Sequence, residues 1–310
     1  MKSYGGVLVI ALLTLWTVEL AVSAPSGYSE NALVVKGLTY STVGGVDLKL
    51  DLARPALGNG PFPAIVYVHG GGFGWSPQLG RSDYSAAISS AAEKGYVAIT
   101  IDLRSIAETQ NGKTKYPFPC QLSDAKCAIR WLRANADTYK VDSSRIGIVG
   151  YSSGGYLALL LGMTKATDGL EGAEGYAQYS SEVQAVVSCA GTDDMEISNE
   201  DDPYYVALFG GKRSELPQLY EKAKPFKYIR KGNPPILSIQ GDLDDEMPLS
   251  LSQELDNRCK ATGAPHRLIV IKGAGHVEAM SMWNDKRVWD FLKRNLSRKS
   301  ILNVIGIYFL

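Results

Sequence analysis

Apolar residues along this chain follow two rhythms. In the first, apolar and polar positions alternate, from Leu33 to Thr42 and again from Val46 to Leu52 as VDLKLDL, with Gly44-Gly45 between them. Alternation on both sides of a glycine pair predicts an N-terminal antiparallel hairpin. Further along, short unbroken apolar runs appear at Ala64 to Val68, Val97 to Ile101, Ile146 to Val149, Val183 to Cys189, Ile236 to Gln240 and Leu268 to Ile271. Unbroken Val, Ile and Leu are what a strand buried on both faces requires. Helix-period segments lie between and after them: Asp83 to Lys94, Gln121 to Tyr139, Gly154 to Lys165, Pro248 to Ala261 and Asp285 to Asn295. Strand and helix in alternation predict an α/β fold with a mostly parallel central sheet and helices on both faces. Gly191 to Asn233 fits this rhythm least. It is expected to form an insertion over the carboxyl edge of the sheet, with Asp193, Asp194, Glu196, Glu200, Asp201 and Asp202 on a solvated surface.

The two ends read differently. Lys2 precedes the mostly apolar run Val7 to Val18, and small residues follow at Ala21, Ser23 and Ala24. That order predicts a signal peptide over residues 1–24 and a secreted or periplasmic protein. Residues 25–300 are then expected to form one domain. The tail 301–310, ILNVIGIYFL, is nearly all apolar but too short to span a bilayer, which takes about 20 residues. No stable membrane span is expected, and the tail reads as an extra strand or a docked segment.

Three sequence features carry chemistry. Gly150-Tyr151-Ser152-Ser153-Gly154 stands between an apolar run and a helix-period segment. A G-x-S-x-G at a strand-to-helix turn is a nucleophile elbow, which lifts the Ser152 hydroxyl clear of the backbone. His69-Gly70-Gly71-Gly72 follows the strand that ends at Val68. Consecutive glycines let the N–H groups of Gly71 and Gly72, with that of Ser153, converge on one oxyanion. No Lys-Ser/Thr follows the glycines, so they do not make a phosphate loop. The third feature is the pair Asp244 and His276, each in a loop just after an apolar strand. Serine, acid and histidine thus come in the chain order that a triad on such a sheet needs, each from the carboxyl end of a different strand. Asp242, Asp245 and Glu246 crowd the same loop. The last two lie at a helix start, where a carboxylate is favoured without any catalytic role. Of the three histidines, His69 and His266 read as structural.

With these motifs the chain resembles the carboxylesterases of the α/β-hydrolase superfamily, in the branch shared by hormone-sensitive-lipase-like and bacterial acetyl or feruloyl esterase-like proteins. The likeness runs from about Leu33 to Leu296. It includes Tyr116-Pro117-Phe118-Pro119, Asp124, Arg130-Trp131-Leu132-Arg133-Ala134-Asn135, Phe209-Gly210-Gly211 and Asn233-Pro234-Pro235. Tyr151 and Ser153 around the serine depart from the G-D-S-A-G of hormone-sensitive-lipase-like enzymes, which favours the acetyl/feruloyl side. The resemblance implies an α/β-hydrolase fold and a secreted serine esterase for short-chain acyl esters, acetyl or feruloyl groups on carbohydrate among them. It also implies Asp244 as the acid, four residues before Pro248. Phe73, Trp75 and Tyr151 are candidate substrate-binding residues, Phe73 and Trp75 as walls of the acyl pocket.

Composition narrows the rest. Lys and Arg number 32 against 32 Asp and Glu, so a broad nucleic-acid face is not expected. Four cysteines in 310 residues do not make a disulfide framework. No His, Cys and acid spacing fits a metal site, and no cofactor is expected. The partner is expected to be a small-molecule or carbohydrate ester. The residues alone leave open a serine peptidase or amidase on the same fold, and a binding module that has lost catalysis.

Overall fold

A computed structural model describes residues 31–75, 79–195, 199 and 201–298. The expected signal peptide at 1–24 and the apolar tail 301–310 lie outside the described residues. The hairpin forms as expected: β1 (Ala32–Val43) turns through Gly44-Gly45 into β2 (Val46–Pro55). Then come β3 (Phe62–Val68), α1 (Ser85–Glu93), β4 (Val97–Ile101) and a small separate hairpin of β5 (Thr109–Gln110) and β6 (Lys113–Thr114). The chain continues through α2 (Cys120–Ala134), α3 (Ala136–Tyr139), β7 (Val141–Tyr151), α4 (Ser153–Met163) and β8 (Ala185–Cys189). It ends with α5 (Pro203–Phe209), α6 (Pro217–Lys222), β9 (Ile236–Gly241), α7 (Leu249–Thr262), β10 (His266–Ile271) and α8 (Lys286–Leu296).

Eight strands form one sheet in the order β1-β2-β4-β3-β7-β8-β9-β10. The β1–β2 and β2–β4 pairs are antiparallel; from β4 to β10 every pair is parallel. Two apolar cores sandwich this sheet. One gathers α2, α4 and α7 through residues such as Leu122, Leu157 and Leu255. The other gathers α1 and α8 through Ile88, Val288 and Phe291. α4 is apolar nearly all round and correspondingly buried from Ser153 to Leu161. Registers align the carboxyl ends: Val68 lies opposite Gly150, Tyr151 opposite Cys189, and Gly241 opposite Ile271. The loops after β3, β7, β9 and β10 therefore leave the sheet from one edge.

Three expectations need correction. First, β10 is an edge strand, only partly covered, and Val270 on it is exposed. Its apolar run reflects one buried face rather than two. Second, the single segment Gln121 to Tyr139 divides at Asn135, whose side-chain amide donates to the Trp131 carbonyl and closes the last turn of α2. Third, Asp193 and Asp194 are not on a solvated surface. Both are buried, accepting from the backbone N–H groups of Met195 and Phe226. Burial raises the Asp193 carboxyl above its usual range. These two acids tie down the start of the 191–233 segment, which packs Leu208, Phe209 and Tyr220 into the core beside α2 and α4.

All four cysteines carry free thiols, and Cys127, Cys189 and Cys259 are buried. Among the described residues no helix is long and apolar enough to cross a membrane.

His69 and His266 predict a pH effect on stability. His69 is buried with Nδ1 against the Gly70 carbonyl at 2.7 Å. His266 bridges Asp256 at 2.9 Å and the Ser238 hydroxyl at 3.0 Å. Burial lowers both below the usual histidine value of 6.5, against the opposing pull of neighbouring acceptors. The unfolded chain then binds protons more readily than the folded one. Their contribution is complete above about pH 6.5 and is lost as pH falls through that value. Urea midpoints should fall between pH 7.5 and 5.5, and His266→Gln should flatten the slope. An unchanged midpoint over that interval would contradict this.

Candidate active site

The turn between β7 and α4 explains why this sequence needs glycine on both sides of its serine. A Cβ on Gly150 would overlap the Gly154 carbonyl, and one on Gly154 would overlap the carbonyls of Val68 and His69. Strand, turn and helix touch backbone to backbone there. Ser152 itself sits at φ 54°, ψ −127°, a conformation costing an ordinary residue on the order of 1–3 kcal/mol. It is held by a hydrogen bond from its N–H to the Cys189 carbonyl, 2.9 Å, at the end of β8.

Around that hydroxyl the structure assembles three residues far apart in sequence. His276 Nε2 lies 2.9 Å from Ser152 Oγ, and His276 Nδ1 lies 2.9 and 3.1 Å from the two oxygens of Asp244. One tautomer satisfies both contacts: Nδ1–H donates to the carboxylate and Nε2 accepts from the serine. The Asp244 side chain is fully covered. Its Oδ1 accepts from the N–H groups of Glu246 and Met247, at 3.1 and 2.8 Å, and its Oδ2 from Gln240 Nε2 at 2.7 Å. Gln240 is locked in turn by the Ser252 hydroxyl and the Met247 carbonyl. Asp242 points elsewhere, accepting from the Gly273 N–H at 2.6 Å.

The glycine run lies against the nucleophile. A Cβ on Gly70 would stand 3.0 Å from Ser152 Cβ. Gly71 and Gly72 open a short turn in which their carbonyls accept from Gly74 and Trp75. Their own N–H groups precede the first turn bond, and the Ser153 N–H is first in α4, so helix geometry supplies none of the three with an acceptor. Donors of this kind suit the negative oxygen that forms when a serine attacks a carbonyl.

Of the candidate substrate-binding residues, Phe73 is buried, with its ring edge-on to Tyr156 at 6.2 Å. Trp75 is half exposed and meets Tyr204 edge-on at 6.0 Å. Tyr151 is placed differently. Its ring lies against the His276 imidazole at 5.3 Å, and its hydroxyl donates to the His276 carbonyl at 3.2 Å, so it props the histidine from below. Burial first, then the carboxylates of Glu246, Asp244 and Glu278, push its phenol up to about 12.

Three residues at the site were not found by sequence reasoning. Gln240 is the penultimate residue of β9 and carries no motif. Tyr204 packs beside the glycine run, where a Cβ on Gly72 would stand 3.2 Å from its ring. Its helix had a readable start: Asp202 caps α5 through the Tyr204 N–H, and Pro203 occupies the first turn. Glu246, expected only to favour a helix start, brings Oε2 to 3.6 Å from His276 Nε2. Among the described residues no group of His, Cys, Asp and Glu could hold a metal ion.

The BD-FAE family matches residues 50–259. The chain is 28% identical over 223 residues to the esterase LipC of Mycobacterium tuberculosis, covering 70% of this chain and 53% of LipC. It is 32% identical over 131 residues to the carboxylesterase NlhH of the same species, 42% of this chain and 38% of that one. The chain thus spans about half the length, or less, of these curated relatives. Among solved structures, a truncated carbohydrate esterase from gut microbiota superposes with a TM-score of 0.73 at 27% identity, covering 88% of this chain and 98% of that one. The propionate-bound esterase Est2 of Thermogutta terrifontis gives 0.66 at 26% identity, with 89% and 95% covered. The sheet order, the elbow and these matches agree: the chain belongs to the BD-FAE family, on the α/β-hydrolase fold.

Proposed function

We propose that this protein is a serine carboxylesterase that cleaves short acyl esters, with acyl groups on carbohydrate as the substrate class. The observation that carries the reading is the aligned relay from Ser152 through His276 to Asp244 at the strained elbow. In this mechanism Ser152 Oγ attacks the ester carbonyl while its proton passes to His276 Nε2. Asp244 holds the imidazole in the accepting tautomer and stabilises it once charged. N–H groups of Gly71, Gly72 and Ser153 hold the oxyanion. His276 then returns the proton to the leaving alcohol, and the acyl group stays on Ser152. Water, deprotonated by His276, frees the acid. The likeness to a carbohydrate esterase supports the substrate class, and the relatives named above are esterases, which favours esters over amides. The pattern of residues 1–24 supports action outside the cytoplasm.

Aromatic rings on the glycine-loop side support a short acyl group. Phe73, Trp75 and Tyr204 crowd the space beside the oxyanion donors, where a long chain would need to pass. A p-nitrophenyl ester series, run beside acetylated and feruloylated xylan, tests the proposal. Acetyl to butyryl esters should be fastest. Tyr204→Ala should move the optimum to longer chains by two carbons or more. Each buried methylene is worth about 0.8 kcal/mol, so the octanoyl-to-acetyl ratio should rise on the order of tenfold. A wild-type maximum at decanoyl esters would contradict the short-acyl reading. A matched p-nitroanilide cleaved faster than the ester would point to an amidase.

A further inference from the structure

The mouth of the site has a charge on one side to which the mechanism above assigns no role. Glu246 follows Asp244 by two residues, and its backbone N–H is bound to the Asp244 carboxylate. Its side chain reaches round the imidazole to 3.6 Å from Nε2, the same nitrogen that faces Ser152 at 2.9 Å. The Glu246 side chain is 67% exposed, so its carboxylate stands at the solvent edge of the reacting atoms. Glu246 and His276 belong to the loops after β9 and β10, whereas the glycine run follows β3, on the other side of Ser152 in the sheet order. The two loops also expose apolar side chains next in sequence to the relay: Leu243 precedes Asp244 and Val277 follows His276, at 67% and 69% exposure.

In the mechanism above, Nε2 delivers its proton to the leaving oxygen. A group 3.6 Å from Nε2 on its open side therefore faces the alcohol half of the ester, while the glycine loop and its aromatic rings face the acyl half. We propose that Glu246 is the residue that selects the alcohol by charge, disfavouring anionic alcohols and favouring those that carry a cation or hydrogen-bond donors, with Leu243 and Val277 as the apolar part of the same subsite. This inference rests on the esterase reading and adds the alcohol class to it. A carboxylate here repels a substrate carboxylate or sulfate before attack. It also accepts from sugar hydroxyls, which neutral carbohydrate esters supply in plenty. When Nε2 is protonated, during attack and before proton return, the same carboxylate forms an ion pair with the imidazolium.

Three aryl acetates of similar size separate these effects: 3-tert-butylphenyl acetate (neutral), 3-(trimethylammonio)phenyl acetate (cationic) and 3-acetoxybenzoate (anionic). Wild-type kcat/KM is expected in the order cationic, neutral, anionic. In Glu246→Gln the cationic-to-anionic ratio should fall by about tenfold, the size of interaction expected for charges some 6 Å apart at a wet site. The neutral ester should slow about two- to threefold from loss of the imidazolium pair. Glu246→Lys should invert the order. In wild type the ratio should shrink in 0.5 M NaCl, where screening acts within a few ångströms. A ratio that is the same in wild type, Glu246→Gln and Glu246→Lys overturns the charge-selection role. Failure of wild type to cleave any of the three overturns the esterase reading beneath it, an outcome distinct from an unchanged ratio.

Discussion

Ser152→Ala is expected to lower kcat/KM for p-nitrophenyl acetate by 10⁴-fold or more, on the order seen when a triad nucleophile is removed. The fold should survive. Ser152 needs its unusual φ in either form, and its N–H still donates to the Cys189 carbonyl after the hydroxyl is gone. The adjacent serine supplies the control. Ser153 Oγ is buried and makes no hydrogen bond, so Ser153→Ala removes an unsatisfied hydroxyl while keeping the N–H that begins α4. Its activity should stay within a few-fold of wild type, with stability unchanged or raised by about 1 kcal/mol. Turnover kept in Ser152→Ala and lost in Ser153→Ala would reassign the nucleophile.

The second large effect concerns the acid. Asp244→Asn should lower kcat by about 10³- to 10⁴-fold with little change in KM. The hydrogen bonds dictate why. Asp244 accepts on both oxygens: from Glu246 and Met247 N–H at one, from Gln240 at the other, and from His276 at both. Asparagine has one acceptor oxygen. With that oxygen kept by the two backbone donors, its NH₂ must face Gln240 Nε2 and His276 Nδ1. The imidazole can then accept only by moving its proton to Nε2, where it cannot take the serine proton. Asp242→Asn retains an acceptor for the Gly273 N–H, and Asp245 is exposed. Each of those changes should cost tenfold or less. A crippled Asp242→Asn beside an active Asp244→Asn would contradict the geometry.

How much of this was readable beforehand depends on what each signal encodes. Unbroken apolar runs located every strand from β3 to β10 in the main sheet, because burial on two faces leaves no room for polar residues. The same signal overstated β10, since an edge strand with one covered face can carry a run nearly as apolar. G-x-S-x-G and H-G-G-G were readable because backbone contacts there exclude any side chain, a constraint written into residue identity. Asp244 stood out in an acidic loop through the spacing before Pro248 that the family resemblance implies, and the structure places it against His276. Glu246 and Tyr204 were hidden for a different reason. Their positions depend on how two loops and a short helix pack over the carboxyl edge, and neither residue belongs to a local motif. Asp193 and Asp194 were misjudged on the general preference of acids for water. Backbone donors from Met195 and Phe226 compensate for their burial, and those partners are set by tertiary structure.

The central claim is that Ser152, activated by His276, is the nucleophile. Treating the protein with a fluorophosphonate and mapping the adduct by peptide mass spectrometry tests it most directly. One adduct per chain is expected, on the peptide that contains Ser152, absent in Ser152→Ala and strongly slowed in His276→Ala. An adduct on any other residue, or labelling that persists undiminished in Ser152→Ala, would contradict the claim.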